Sequence, residues 1–198
     1  MSYLQLGFRH ITDLAAADHI LFLVALGAIY RPGDWRELVW VITAFTVGHS
    51  VTLALAVLGI LPLPTTLIEF LIPVTILATG LGNVVTGDRE RARWHRRYRP
   101  VFAGIFGLVH GAGFAGYLRA MFVDRVAVPL FGFNVGIELG QIVVLTVLAV
   151  SLAAIDRVLE RLGARGLFRS SPLRVRVMAV SSLVVLVALG WAVDRRPW

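Results

Sequence analysis

The chain has 198 residues, 58% of them hydrophobic and only 16% charged, with a mean hydropathy of +0.79. Soluble domains are roughly 45–50% apolar, so these values exclude a water-soluble globule, a disordered chain and a coiled coil, and the lack of cysteine excludes a disulfide scaffold. The net charge of +7 comes from 19 arginines and no lysine, and in so apolar a chain it points to membrane orientation rather than to nucleic acid.

A spanning helix needs about 20 mostly apolar residues. Six blocks meet that length, at about 13–30, 38–61, 66–85, 101–122, 128–155 and 175–193. The expected fold is therefore all-α, a polytopic membrane protein in which residues 1–198 form one integral membrane domain, a six-transmembrane-helix bundle. Arg31-Pro32-Gly33-Asp34 reads as a turn, Pro62-Leu63-Pro64 stops a helix, and Pro100 suits a first helical position. The opening MSYLQLGFRH has neither the charged leader nor the apolar core of a cleavable signal peptide. With these spans, Arg9, Arg119, Arg125, Arg195 and Arg196 fall on one side and the other fourteen arginines on the opposite side. The positive-inside rule then places both termini outside the cytoplasm, in the inner membrane. His95, within the basic run DRERARWHRRYR, reads as solvated surface near anionic lipid heads rather than as a ligand.

Ionisable side chains inside spans are costly, and each marks a candidate site. In the first block Thr12 or Asp13 reads as a helix cap, His10 as part of the turn leading in, and Asp18-His19 as a buried carboxylate beside an imidazole. The second block aligns Thr46, His49 and Ser50 on one face. The third carries Glu69 near its outer boundary, with Thr79 and Asn83 deeper. The fourth places His110 among Gly104, Gly107, Gly111 and Gly113, where another backbone can come close. The fifth divides into a packing face of Gly132, Gly136 and Gly140 and a polar face of Asn134, Glu138 and Gln141. The sixth has no ionisable residue between Arg176 and Asp194 and reads as scaffold.

At 1.5 Å rise per residue, His19, His49, His110 and Glu138 can share one layer in the outer half of the bilayer. Three imidazoles with carboxylates suit a borderline divalent cation such as nickel or zinc. The expected metal set is His19, His49, His110, Asp18 and Glu138, with His10 and Glu69 at its margin. Thr43, Thr46, Ser50, Asn83 and Gln141 fit interhelical hydrogen bonds better.

In order along the chain, GFRHITDLAAADHILFLVAL, TAFTVGHSVTLALA, Glu69, FGLVHGAGFA and GFNVGIELGQ resemble the HupE/UreJ family of small membrane proteins. Members of that family are often described as secondary nickel permeases accompanying hydrogenase or urease genes. The resemblance implies a role for His10, Asp18 and His19 from the first motif and for His110 and Gly111 from the later one. Two spacings depart from the nickel-associated branch. Seven residues, not five, separate His10 from Asp18, and His110 stands alone, its glutamate, Glu138, falling on the next helix.

Two functions compete at this point. The first is a permease for a divalent transition-metal ion, driven by the ion's gradient or the membrane potential because no nucleotide-binding loop is present. The second is an intramembrane zinc hydrolase in which three histidines hold the metal, Asp18 or Glu138 acts as base and Ser50 orients the substrate. A structural metal-binding role in a larger assembly is a third. Expected partners are lipid and the metal ion, with no nucleic acid and a homo-oligomer left open.

Overall fold

The computed structural model describes residues 2–14, 17–61, 64–86, 89–121, 127–167 and 170–198, with side chains for all of these except 32, 89–97 and 115–121. Pro62 and Leu63 of the Pro62-Leu63-Pro64 stop, residues 122–126 and the side chain of His95 lie outside the described residues.

The architecture is all-α. The helices are α1 (Tyr3–Thr12), α2 (Ala17–Gly27), α3 (Trp35–Val57), α4 (Thr65–Thr86), α5 (Arg89–Met121), α6 (Ala127–Ala164) and α7 (Pro172–Asp194). A 3-10 turn at Pro32–Asp34 precedes α3, and the Asp34 carboxylate accepts from the Arg31 backbone N–H at 2.9 Å, as the turn-forming sequence there requires. Among the described residues α3, α4, α6 and α7 are each long and apolar enough to cross a membrane, and α1 with α2 qualify together as one broken segment bent by 68°. The protein is thus an integral membrane protein, with four such helices among the described residues, or five segments if the bent pair is counted, toward the six blocks of the sequence.

Three expectations change. The first block is not one helix from residue 13: α1 ends at Thr12, Asp13 caps its C-terminus with extended backbone, and α2 begins at Ala17. Thr12 and Asp13 thus close a helix instead of opening one, and the Thr12 hydroxyl donates to the Phe8 carbonyl at 2.9 Å. With eleven residues, α2 is about 16 Å long, too short to cross about 30 Å of hydrocarbon alone. Second, Pro100 lies inside α5, which starts at Arg89, so the arginine-rich stretch is helical and not a loop. Third, α6 runs on to Ala164, carrying Arg157 and Arg161 in helix; arginine and glutamate are good helix formers, so hydropathy marks where lipid ends and not where the helix does.

The helices pair as α3 with α5, α1 with α6 and α4 with α7. Glycine makes two of these contacts close. A β-carbon on Gly107 or Gly111 would overlap the carbonyl oxygen of Phe45 or His49 on α3, and one on Gly7 or Gly136 would overlap that of Phe133 or Leu4 across the α1–α6 contact. Such small-residue seams let backbones touch where lipid offers no hydrophobic drive. Buried on nearly all sides, α2 sits between two apolar cores: Phe22, Ala25 and Leu26 pack with Phe45, Ile72 and Val184, and Leu23 packs with Ile11, Ile42 and Phe133.

Candidate metal centre

The break between α1 and α2 builds the site. Nine residues along an unbroken helix would put His10 and His19 on opposite faces; with the two helices bent by 68° the two rings meet, their centroids 4.5 Å apart. His49 comes from the middle of α3, its ring 6.1 Å from His10 and 6.4 Å from His19. One ring nitrogen from each of the three lies within 4.8 Å of the others. His110, from α5, adds a fourth ring 5.5 Å from His19. The α3–α5 glycine seam sets this last approach, because Gly111 presses against the backbone of His49 itself.

These rings are buried and their nitrogens are unsatisfied. His49 is fully inaccessible and His110 nearly so. His10 Nε2, both nitrogens of His19, both of His49, and His110 Nδ1 have no hydrogen-bond partner. Buried polar atoms are ordinarily paired, so six orphan nitrogens converging from four helices require a ligand or a cost. The walls are aromatic: Phe114 lies 3.9 Å from the His10 ring, and Phe22 and Phe45 flank His110 at 5.0 and 5.2 Å.

The fourth ring is oriented by a neighbour. The Thr75 hydroxyl gives its one proton to the Ile72 carbonyl at 2.7 Å, so toward His110 Nε2, at 3.0 Å, it can only accept. A neutral His110 then carries its proton on Nε2 and its lone pair on Nδ1, the atom left without a partner. A hydroxyl or carbonyl that fixes the tautomer in this way is the usual support of a metal-binding histidine.

The carboxylates lie elsewhere. The Asp18 carboxylate pairs with Arg195 at 2.8 Å, beyond the end of α7. Glu138 accepts from the Thr43 hydroxyl at 2.7 Å, and Gln141 from Thr46 at 3.0 Å, so the polar face of α6 is a ladder onto α3. Glu69 is exposed on α4. The Ser50 hydroxyl donates to the Thr46 carbonyl of its own helix at 2.6 Å. The structure therefore brings His19 and His49 together with His10, keeps His110 adjacent, and turns Asp18 and Glu138 toward other partners. Thr75 and Arg195 were not singled out in the sequence. Thr75 could have been, since Thr75, Thr79, Asn83 and Thr86 recur at helical spacing along one face of α4.

The donor set fits a transition-metal ion. Zinc–imidazole bonds of ~2.0–2.1 Å in tetrahedral geometry put ligand nitrogens about 3.3 Å apart, so the rings need close by at most about 1.5 Å. A family profile described as HupE / UreJ protein matches residues 1–195. The chain belongs to the HupE/UreJ family. No curated protein and no solved structure matches it. In this HupE/UreJ protein His10 stands on α1, Asp18-His19 on α2 and His110-Gly111 on α5, three of the four helices whose imidazoles converge, and His49 on α3 supplies the fourth.

Proposed function

We propose that this HupE/UreJ protein is a secondary permease for a divalent transition-metal ion, nickel or zinc, with His10, His19, His49 and His110 as its binding station. The observation that carries this reading is the set of six buried, unpartnered imidazole nitrogens drawn from four helices. Imidazole binds such ions well, and the family resemblance supports transport. An ion arriving at the station exchanges its water for ring nitrogens that already lack partners, so little protein hydrogen bonding has to be broken to admit it.

A hydrolase would need a carboxylate beside the metal-bound water as general base. Asp18 and Glu138, the two candidates, are engaged by Arg195 and Thr43, and Ser50 by its own helix, which favours transport. The arginine distribution supports an inner-membrane orientation with both termini outside the cytoplasm and the station in the outer half. Labelling a cysteine placed at Trp198 in intact cells tests that orientation; protection from a reagent that cannot cross the membrane would reverse it.

The function is tested by flux. Purified protein in proteoliposomes should move Ni²⁺ or Zn²⁺ down its gradient, and His19→Ala or His49→Ala should stop it. Tight metal retention with no flux of either ion, together with cleavage of a membrane substrate, would replace the permease by the hydrolase.

A further inference from the structure

A cavity of about 370 Å³ lies between α4 and α5, on the arginine-rich side of the imidazoles. Along α4 it runs from Ala78 to Thr86, about 12 Å at 1.5 Å per residue, which is most of the ~15 Å of hydrocarbon in one leaflet. Leu26 and Ala103 form its buried floor, whereas Tyr98 and Phe102 at its rim are 42% and 56% exposed, so that it opens sideways toward lipid. The polar groups of its wall are spent on the protein itself. The Thr79 hydroxyl donates to the Thr75 carbonyl at 2.8 Å, and that of Thr86 to the Gly82 carbonyl. The Asn83 amide donates to the Ala25 carbonyl at 2.7 Å and accepts from Arg99 at 2.9 Å. An occupant therefore meets a surface that asks for no hydrogen bond along its length, and water, which needs about two to four polar partners, fills it poorly.

Only one end of the cavity is charged. The Arg99 guanidinium is held there by Asn83 and lies over the Tyr30 ring. It ends a stretch, residues 89–99, that holds six arginines and one glutamate at the start of α5. We infer that the cavity binds one acyl chain of an anionic phospholipid, with the phosphate at Arg99 and the arginine-rich start of α5. The inference is independent of the permease reading. An apolar space open to a bilayer gains dispersion contacts when a chain enters it. Basic pockets between spanning helices on the arginine-rich side attract anionic headgroups, and the planar guanidinium suits a phosphate. Chain depth inside and positive charge at the mouth match the two ends of such a lipid. A zwitterionic lipid brings the same chain, but its cationic group is repelled by the same arginines.

Titration of the purified full chain in detergent, read by native mass spectrometry, tests the charge. Phosphatidylglycerol should bind at least tenfold more tightly than phosphatidylcholine with the same acyl chains. Equal affinities would overturn the inference, and so would palmitate binding as tightly as phosphatidylglycerol. Arg99→Gln should reduce the preference to threefold or less while phosphatidylcholine binding stays within twofold, and Arg99→Lys should retain most of it; an undiminished preference in Arg99→Gln would overturn the assignment of the phosphate. Gly82 lines the cavity, and nothing lies within 4 Å of where its β-carbon would be. Gly82→Phe should therefore occupy the chain's place and weaken both phospholipids at least fivefold, whereas binding equal to the parent's would put the lipid elsewhere. A last readout needs no variant to fold. Phosphatidylglycerol carrying a photoreactive diazirine at the end of one chain, in proteoliposomes of the unaltered protein, should crosslink to Phe102, Ala103 or Phe106. Crosslinks confined to α6 and α7 would overturn the inference.

Discussion

Among the described residues, the groups around Arg176 and around the imidazoles are buried in opposite ways. Arg176, at the start of α7, is 1% exposed, yet it pairs with Asp156 on α6 and donates to the carbonyls of Tyr30 at 2.8 Å and Ala28 at 3.3 Å. Only its Nε and the Asp156 Oδ1 lack partners in that pair. It staples α6, α7 and the end of α2 together. Among the described residues the imidazoles of His10, His19, His49 and His110 make, by contrast, one side-chain hydrogen bond, that of His110 with Thr75. A polar group buried for architecture brings its partners with it; one buried for a ligand keeps its lone pairs free. Folding tolerates the second arrangement because neutral imidazoles cost far less to bury than charges.

The largest effect expected from this contrast is at Arg176. Arg176→Met leaves the half-buried Asp156 carboxylate and two backbone carbonyls without their donor; breaking a fully buried pair from one side costs about 3–5 kcal/mol, and the partial exposure of Asp156 sets the expected loss below that range. Denaturation of the purified protein in detergent should show that loss, whereas metal affinity in the fraction that remains folded should be unchanged. A stable Arg176→Met protein would mean that the staple is dispensable and the contrast false.

The imidazoles should behave the other way round. His49→Leu removes two unpartnered buried nitrogens, each of which carries a desolvation penalty of about 1–3 kcal/mol when unmade, so the metal-free protein should become no less stable and gain up to about 1 kcal/mol. Metal affinity should fall more than ~100-fold, beyond the loss seen when only a supporting hydrogen bond is removed. A destabilised metal-free His49→Leu would show instead that the ring serves packing. Thr75→Val probes the support alone: shape is kept, the hydroxyl that fixes the His110 tautomer is lost, and affinity should drop ~10-fold with stability little changed. Unaltered affinity would detach His110 from the station.

The same contrast explains what could be read from the sequence. Long apolar blocks announce helices because lipid demands a continuous run, and the four spans and the glycine faces at Gly107, Gly111 and Gly136 were legible for that reason. Helix ends were not, since α5 and α6 extend through arginine-rich stretches that water accepts as readily in helix as in loop. The break before α2 was also hidden: Leu14-Ala15-Ala16-Ala17 has high helix propensity, and α1 is held apart by tertiary contact, with Gly7 against α6. His10 therefore read as a turn residue although it stands in the group with His19 and His49. The histidines could be named one by one because a buried ionisable group is rare at any position. The partners of Asp18 and Glu138 could not, because Arg195 and Thr43 are 177 and 95 residues away.

The smallest effect, and the one that bears most directly on Asp18, concerns that distant partner. Asp18 adjoins His19 on α2, and its carboxylate is held by Arg195, with side-chain exposures of 20% and 32%. While that pair is intact, the guanidinium offsets the negative charge that a divalent cation on His19 would otherwise feel. Arg195→Gln should release the field of Asp18 toward the imidazoles and tighten Ni²⁺ or Zn²⁺ binding about 3- to 5-fold, the size of a half-exposed ion pair. Arg195→Lys, which keeps the charge, should bind as the parent does. In an Asp18→Asn background Arg195→Gln should bring no gain, because the carboxylate through which it acts is gone. Calorimetric titration of the parent, the two Arg195 variants, Asp18→Asn and the double variant at one ionic strength decides the matter. Equal affinities for parent and Arg195→Gln would mean that Asp18 does not sense the ion, leaving the imidazoles as the whole of the binding station.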